Sequence, residues 1–317
     1  MSEKKYSRSK SAVSKDDKKV PYLVLAFFSL GFIAIILVAV FSMSISSPLA
    51  GDCVAVLEIN GEITTQSVPT SLFSEGVYGS YELANQIDSI NDDEHIGAAV
   101  FIINSPGGSV VASDEIYRSI DSVDKPTVSY FREMAASGGY YIATPTDYIV
   151  SEPNALTGSI GTVMYLMEFA DLADKIGVGD VVIKSGEMKD MGNPMRNMTS
   201  AEEDVLNTIV LEAFDDFKYK ITSNRGDKLD YTLYNQALDG RVLSGTMAYE
   251  AGLVDELGSR ETAIMHAADL AGIPYESADD INLCYIRTSP EPAGLFDMHS
   301  FIDGLFAGES APSLTYR

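Results

Sequence analysis

The sequence predicts an α/β protein with a parallel sheet, carried behind a single N-terminal membrane-spanning helix. Short apolar, β-branched runs alternate with segments of helical spacing, the pattern of βαβ units. No charged residue occurs between Val20 and Gly51, and Tyr22 to Met43 is almost wholly apolar. A length of 317 residues is also enough for a sizeable core in one large or two ordinary domains.

Residues 1–20 form a basic tail with seven Lys/Arg against three Asp/Glu. Residues 21–43 are long enough to cross a bilayer as a helix, and the basic flank places the N-terminus in the cytoplasm and the rest outside. A cleavable signal peptide is the rival reading, with a weak small-residue site at Ser47 to Ala50. Its apolar region would be shorter, so a retained anchor is favoured. Residues 44–52 read as a linker, 53–288 as the folded domain and 289–317, rich in Pro, Gly and Ser, as a flexible tail.

Within the domain, Val54–Ile59 and Ile96–Ile103 read as buried strands, and Val110–Val123 as an amphipathic helix. Thr127–Phe131 and Tyr148–Val150 are further strands with a helix from Ser137 between them, and Val178–Ile183 is another strand-like run. Thr199 or Ser200 caps a long helix to about Ser223, because Glu202 and Glu203 stand three residues on. A helix over Arg260–Ala271 and a strand over Ile281–Ile286 complete the pattern.

The net charge is −24, and the N-terminal tail contributes +4, leaving −28 from Pro21 onward. That balance argues against nucleic acid and anionic lipid as partners. Cys53 and Cys284 lie in or beside strand-like runs and read as two buried thiols, with a single disulfide as the alternative. Asp52 stands where a lipid-modified Cys53 needs a small residue. No Cys/His spacing suits a metal, and no cofactor is implied. NSPGGSV lacks the Gly-Lys-Ser/Thr ending of a nucleotide loop.

The chemistry centres on MAASGGYYIA, Met134 to Ala143. Ser137 sits among small residues at a strand-to-helix turn, where backbone N–H groups are free to meet an oxyanion. The bland alternative is a tight turn packed with small residues. A nucleophilic serine needs a base, and none of His95, His266 and His299 lies in a motif that would orient it. Lysine is an alternative base when burial lowers its pKa from about 10.4. Lys184 closes an apolar run, while Lys189 lies in the following loop, KSGEMKDMGNP. Ser105 and Ser109, beside the Pro-Gly-Gly turn, read as turn and N-cap hydroxyls, and Tyr140 and Tyr141 as core or groove wall. The methionines of this region either line an apolar groove or fill the loop.

Five motifs, NSPGG (104–108), MAASGGYYIA (134–143), LTGSIG (156–161), KSGEMKD (184–190) and DGRV…AGLVDELG (239–258), stand in the order found in the signal peptide peptidase A family, which the chain resembles. The resemblance implies a Clp-protease/crotonase-like fold of repeated β-β-α units and a membrane-anchored serine endopeptidase. It implies Ser137 as nucleophile, Lys189 as general base and Ser159 as the hydroxyl that orients the lysine. Gly108 and Gly138 would form the oxyanion hole. Substrates would be remnant signal peptides or unfolded membrane-adjacent segments, cleaved within a homo-oligomeric ring. Because a carboxylate beside the base would hold its proton on, Asp190 is expected to point away from Lys189. The rival readings are an acyl-CoA enzyme of the same broad fold and a non-catalytic membrane scaffold.

Overall fold

The computed structural model describes residues 53–68, 76–289 and 315–316. Strand β1 (Cys53–Asn60) leads to helix α1 (Ser80–Asp92), strand β2 (Ile96–Ser105), the two-residue β3 (Gly108–Ser109) and helix α2 (Val110–Asp121). Strand β4 (Thr127–Ala136) runs straight into the short helix α3 (Gly138–Ala143), followed by β5 (Tyr148–Ser151) and β6 (Leu156–Gly158). Helix α4 (Ala170–Ile176) and a 3-10 turn (Glu187–Asp190) precede the long α5 (Ser200–Arg225). Then come α6 (Tyr231–Ala237), β7 (Val242–Ser244), α7 (Gly245–Glu250), β8 (Glu256–Leu257), α8 (Arg260–Ala271), β9 (Leu283–Tyr285) and β10 (Thr315–Tyr316).

Strands β7-β6-β4-β2-β1-β9 lie side by side, with β5 and β8 branching from β4. Within this sheet every pairing is parallel except β6 with β7. Both faces of the sheet are covered, which explains why β1 and β2 read as unbroken apolar runs. On one face Ala55, Leu57, Phe101 and Ile103 pack with Leu83 and Ile87 of α1, Ile116 and Ile120 of α2, and Phe217 and Ile221 of α5. On the other, Val54, Val56, Val100 and Ile102 pack with Ile264, Ala267, Ala268 and Ala271 of α8. The strand period of two sorts successive residues between the layers.

Strand β4 is forked. Its first half, Val128–Phe131, pairs with Tyr148–Ser151, and its last residues, Met134–Ala136, pair instead with Leu156–Gly158. The fork ends at Ser137. Helix α3, the one that follows, is tied down from two sides. The Tyr140 hydroxyl donates to the carbonyl of Leu253 at 2.9 Å, and the Tyr141 hydroxyl bonds Asp216 of α5 at 2.8 Å. Both rings are buried, as core residues. Burial pushes the Tyr140 hydroxyl up, so it stays a neutral donor. Leu253 belongs to the AGLVDELG segment, whose Asp255 accepts from the Ile149 N–H and pairs with buried Arg225 at 3.0 Å. Burial alone would raise the Asp255 carboxyl, but Arg225 and Lys228 hold it below its ordinary value.

Two expectations need correction. Val178–Ile183 forms no strand: the chain is irregular there, and Val181 and Ile183 are 91% and 97% exposed. Its apolar side chains lie on the surface of the single chain, where the alternation of a strand has nothing to sort. Cys53 and Cys284 are not separate thiols but a disulfide, with Cα atoms 5.9 Å apart, stapling edge strand β9 to β1. The proposed anchor, 21–43, lies outside the described residues, and among the described residues no helix is long and apolar enough to cross a membrane. Of the expected tail, 289–317, only Ser289 and the strand Thr315–Tyr316 are described.

Candidate active site

Ser137 occupies the corner between β4 and α3 and is fully buried, with φ 54° and ψ −117°. Only two non-glycine residues have positive φ among the described residues, Ser137 and Ser159 (φ 50°). Such backbone costs about 1–3 kcal/mol and persists where the surroundings enforce it. Here the enforcement is visible: the Ser137 N–H donates to the Gly158 carbonyl at 2.8 Å, and the Ser159 N–H to the Arg241 carbonyl at 2.9 Å. Ala136 is paired with Gly158 in parallel register, so the two serines leave neighbouring strands at the same level. Arg241 is itself braced by its ion pair with Asp239, which gives the DGRV segment a part in shaping Ser159.

The Ser137 hydroxyl is buried and has no hydrogen-bond partner among the described residues. An unpartnered buried hydroxyl is costly, and a site awaiting substrate or base is one of the few reasons to keep it. His266 is taken up by Tyr148, on which it stacks with ring centroids 3.6 Å apart.

The Pro-Gly-Gly turn lies directly against this corner. A Cβ on Gly138 would stand 3.2 Å from the Gly108 nitrogen and 2.5 Å from the Ser113 hydroxyl oxygen. On Gly108, a Cβ would stand 2.0 Å from the Ile63 carbonyl oxygen. Close approach of backbone therefore requires glycine at 108, and at 138 a side chain would have to shift the Ser113 hydroxyl. Ile63 donates its N–H to Gly107 O and accepts from Ser109 N, a parallel bridge centred on Gly108. In such a bridge the N–H and C=O of the central residue point to its other side. On that side the C-terminal strand runs antiparallel, with Tyr316 opposite Gly108 and Thr315 opposite Ser109. Ser105 and Ser109 do what their sequence positions suggest, accepting from Gly107 N (3.1 Å) and Ala112 N (3.5 Å) respectively.

Lys189 stands elsewhere. It lies on the exposed 3-10 turn, and its amine has no hydrogen-bond or ion-pair partner among the described residues. The structure of one chain does not bring Lys189 into contact with Ser137. Asp190 points away from it, pairing with Lys184 (2.6 Å) and Arg196 (2.9 Å), as the sequence requires. Sequence reasoning missed Arg196 and Arg241, although each is followed or preceded by acidic residues at short spacing.

Comparison with known proteins places this corner in a family. The model of peptidase family S49 matches residues 120–274, and that of Clp protease matches 80–155. A protease-named protein of Methanocaldococcus jannaschii is 37% identical over 60% of this chain and 61% of its own length. A protein of Enterococcus faecium named for signal peptide peptidase SppA is 34% identical over 66% of this chain and 60% of its own. One of Synechocystis, also named as a protease, is 34% identical over 59% of this chain and 68% of its own. The chain thus spans about three fifths of the length of the first two. The mixed α/β fold agrees with the Clp-type match. On the overlap with the cyanobacterial relative and the family match through the β4–α3 corner, the chain belongs to peptidase family S49.

Proposed function

We propose that the chain is a serine endopeptidase in which Ser137 is the nucleophile and Lys189 the general base. The observation that carries this reading is the strained, buried and unpartnered Ser137 at a strand-to-helix corner, facing a second glycine turn. Ser137 Oγ attacks the peptide carbonyl while Lys189 takes its proton and passes it to the leaving amine, and water then releases the acyl group. The N–H groups of Gly138 and Gly108 receive the oxyanion. Ser159, level with Ser137 on the adjacent strand, orients the lysine amine.

Substrate enters as an extended strand beside Gly108–Ser109, the edge along which the chain's own residues 315–316 lie. Unfolded or membrane-released segments such as remnant signal peptides suit that mode, and a helix over 21–43 would hold the enzyme at the bilayer. The catalytic domain faces the extracytoplasmic side. The disulfide supports this placement, since such bonds persist in oxidising compartments.

The base acts between copies. Lys189 is exposed on a segment whose Tyr165, Met167, Ile176, Val181 and Ile183 are each at least two-thirds exposed, or nearly so (66–97%). A neighbouring copy would cover these side chains and bring Lys189 to its Ser137, giving a head-to-tail assembly that closes into a ring. The test compares the full-length protein with Ser137→Ala and Lys189→Ala on an unfolded peptide. Both variants are expected to lose turnover; full activity in either would overturn its assignment.

A further inference from the structure

Next to Lys189 lies a cluster of charges that the proposed chemistry does not itself use. Arg196 grips Asp190 with two nitrogens, Nε to Oδ2 at 3.0 Å and Nη2 to Oδ1 at 2.9 Å, and Nη2 also donates to the Asp190 carbonyl at 3.0 Å. The opposite edge of the same guanidinium meets Glu202, Nη1 to Oε2 at 2.8 Å and Nη2 to Oε1. Glu202 is 2% exposed in the first turn of α5, where it completes a capping box with Thr199. A planar fork between two carboxylates fixes direction as well as distance, which a lysine in its place would not do. Thus the turn bearing Lys189 is bolted to the start of a 26-residue helix.

We propose that Arg196 is a positioning residue for Lys189. Resting on the reading of Lys189 as base, the assignment gives Arg196 two effects. It fixes the turn so that the amine projects toward the nucleophile of the site. It also occupies the carboxylate of Asp190, the sequence neighbour of Lys189, which if left free to approach the amine would hold a proton on it. Lys184 shares the second task, bonding Asp190 Oδ1 and the Glu187 carbonyl. Of the other carboxylates near this segment, Asp180 accepts from the Asn193 side chain and Glu168 from the Met198 N–H, while Glu187 shares the exposed turn with Lys189 in both wild type and Arg196→Met.

The experiment is a pH–rate series on the full-length protein with an unfolded peptide, comparing wild type, Arg196→Met, Asp190→Asn, the double variant and Lys189→Ala. Arg196→Met keeps the stem length without the fork. Its kcat should fall about tenfold to a hundredfold, with KM within about threefold, as for a misplaced group. The acid limb of kcat/KM should move up by about one pH unit as Asp190 is freed. Adding Asp190→Asn should return the limb to its wild-type position while kcat stays low, which a merely structural role for Arg196 would not produce. An Arg196→Met enzyme with wild-type kcat overturns the inference. So does a loss of kcat whose acid limb stays fixed, including one caused by poor folding. Lys189→Ala separates the two readings: if it is fully active the base assignment fails, and if it is inactive while Arg196→Met is unimpaired, only the role of Arg196 fails.

Discussion

Ser137 and Ser159 are the paired exceptions of this backbone: each follows a residue of the Ala136–Gly158 pair, and each is a non-glycine held at positive φ. Two neighbouring strands therefore turn aside at one level and point two hydroxyl-bearing residues into the same corner. Serine rather than glycine at such positions costs stability, and the cost is concentrated where the chemistry is proposed.

Replacing Ser137 by glycine should therefore separate function from stability. Ser137→Gly is expected to lose peptide hydrolysis by about four orders of magnitude or more. Its melting temperature should be equal to or above that of wild type, because glycine tolerates positive φ. Calorimetry beside a peptide assay checks both halves, and a variant that melts several degrees lower would show that Ser137 is structural.

Gly108→Ala should lose both activity and stability. A methyl 2.0 Å from the Ile63 carbonyl oxygen cannot be accommodated without moving the turn. Loss of one oxyanion donor costs about two to three orders of magnitude in kcat. Rates near wild type, with an unchanged melting temperature, would place the oxyanion elsewhere.

If Lys189 serves the Ser137 of another copy, two dead variants can rescue each other. Co-assembled in equal amounts, Ser137→Ala and Lys189→Ala chains should recover activity at about a quarter of the sites in a head-to-tail ring. Should the mixture remain as inactive as its components, base and nucleophile come from one chain.

The charge clamp around Arg196 carries its own pH dependence. Arg196, with Lys184, holds the Asp190 carboxyl well below the usual carboxylate range. Glu202 is lowered to about 2, first by Arg196 and then by the Thr199 backbone. For groups depressed on folding, the contribution is fully present above their ordinary values of 3.8 and 4.5 and is lost as pH falls toward 2. Protection factors for amides of the 187–190 turn, measured against the intrinsic exchange rate at each pH, should fall over that interval in wild type, and should already be low at neutral pH in Arg196→Met. Identical protection in the two proteins at pH 7 would mean the clamp holds nothing.

Reduction should loosen one edge of the sheet without touching the corner. The disulfide closes a separation of 231 residues, and removing such a link costs about 2–4 kcal/mol. Cys284→Ser is expected to lower the melting temperature and leave kcat within about twofold, since β9 sits at the far side of β1 from β4. A melting curve indifferent to reductant would show that the bond does not form in solution.

Much of this was legible in the sequence, and the failures have physical causes. Helix α8 falls on Arg260–Ala271 as expected, and Thr199 with Glu202 fixes the start of α5. Helix α1 was passed over, although Leu83, Ile87 and Ile90 stand at helical spacing and are its buried face. The run 178–183 misled because hydrophobicity reports a need for cover, not which chain supplies it. The disulfide joins residues whose proximity depends on the whole sheet, so spacing could not reveal it. Positive φ at Ser159 had no local signal either, since its cause is a carbonyl at Arg241.

The antiparallel contact of Thr315–Tyr316 with Gly108–Ser109 means that the edge proposed for substrate is already held by a strand of the same chain. A competitor joined to the enzyme is not diluted when the enzyme is, so the contest for this edge is decided by tether and fit rather than by how much protein is present. A substrate strand using this edge would have to displace the resident one. On that proposal the edge would act as a threshold, favouring segments that are long, extended and locally abundant over those that merely collide with it.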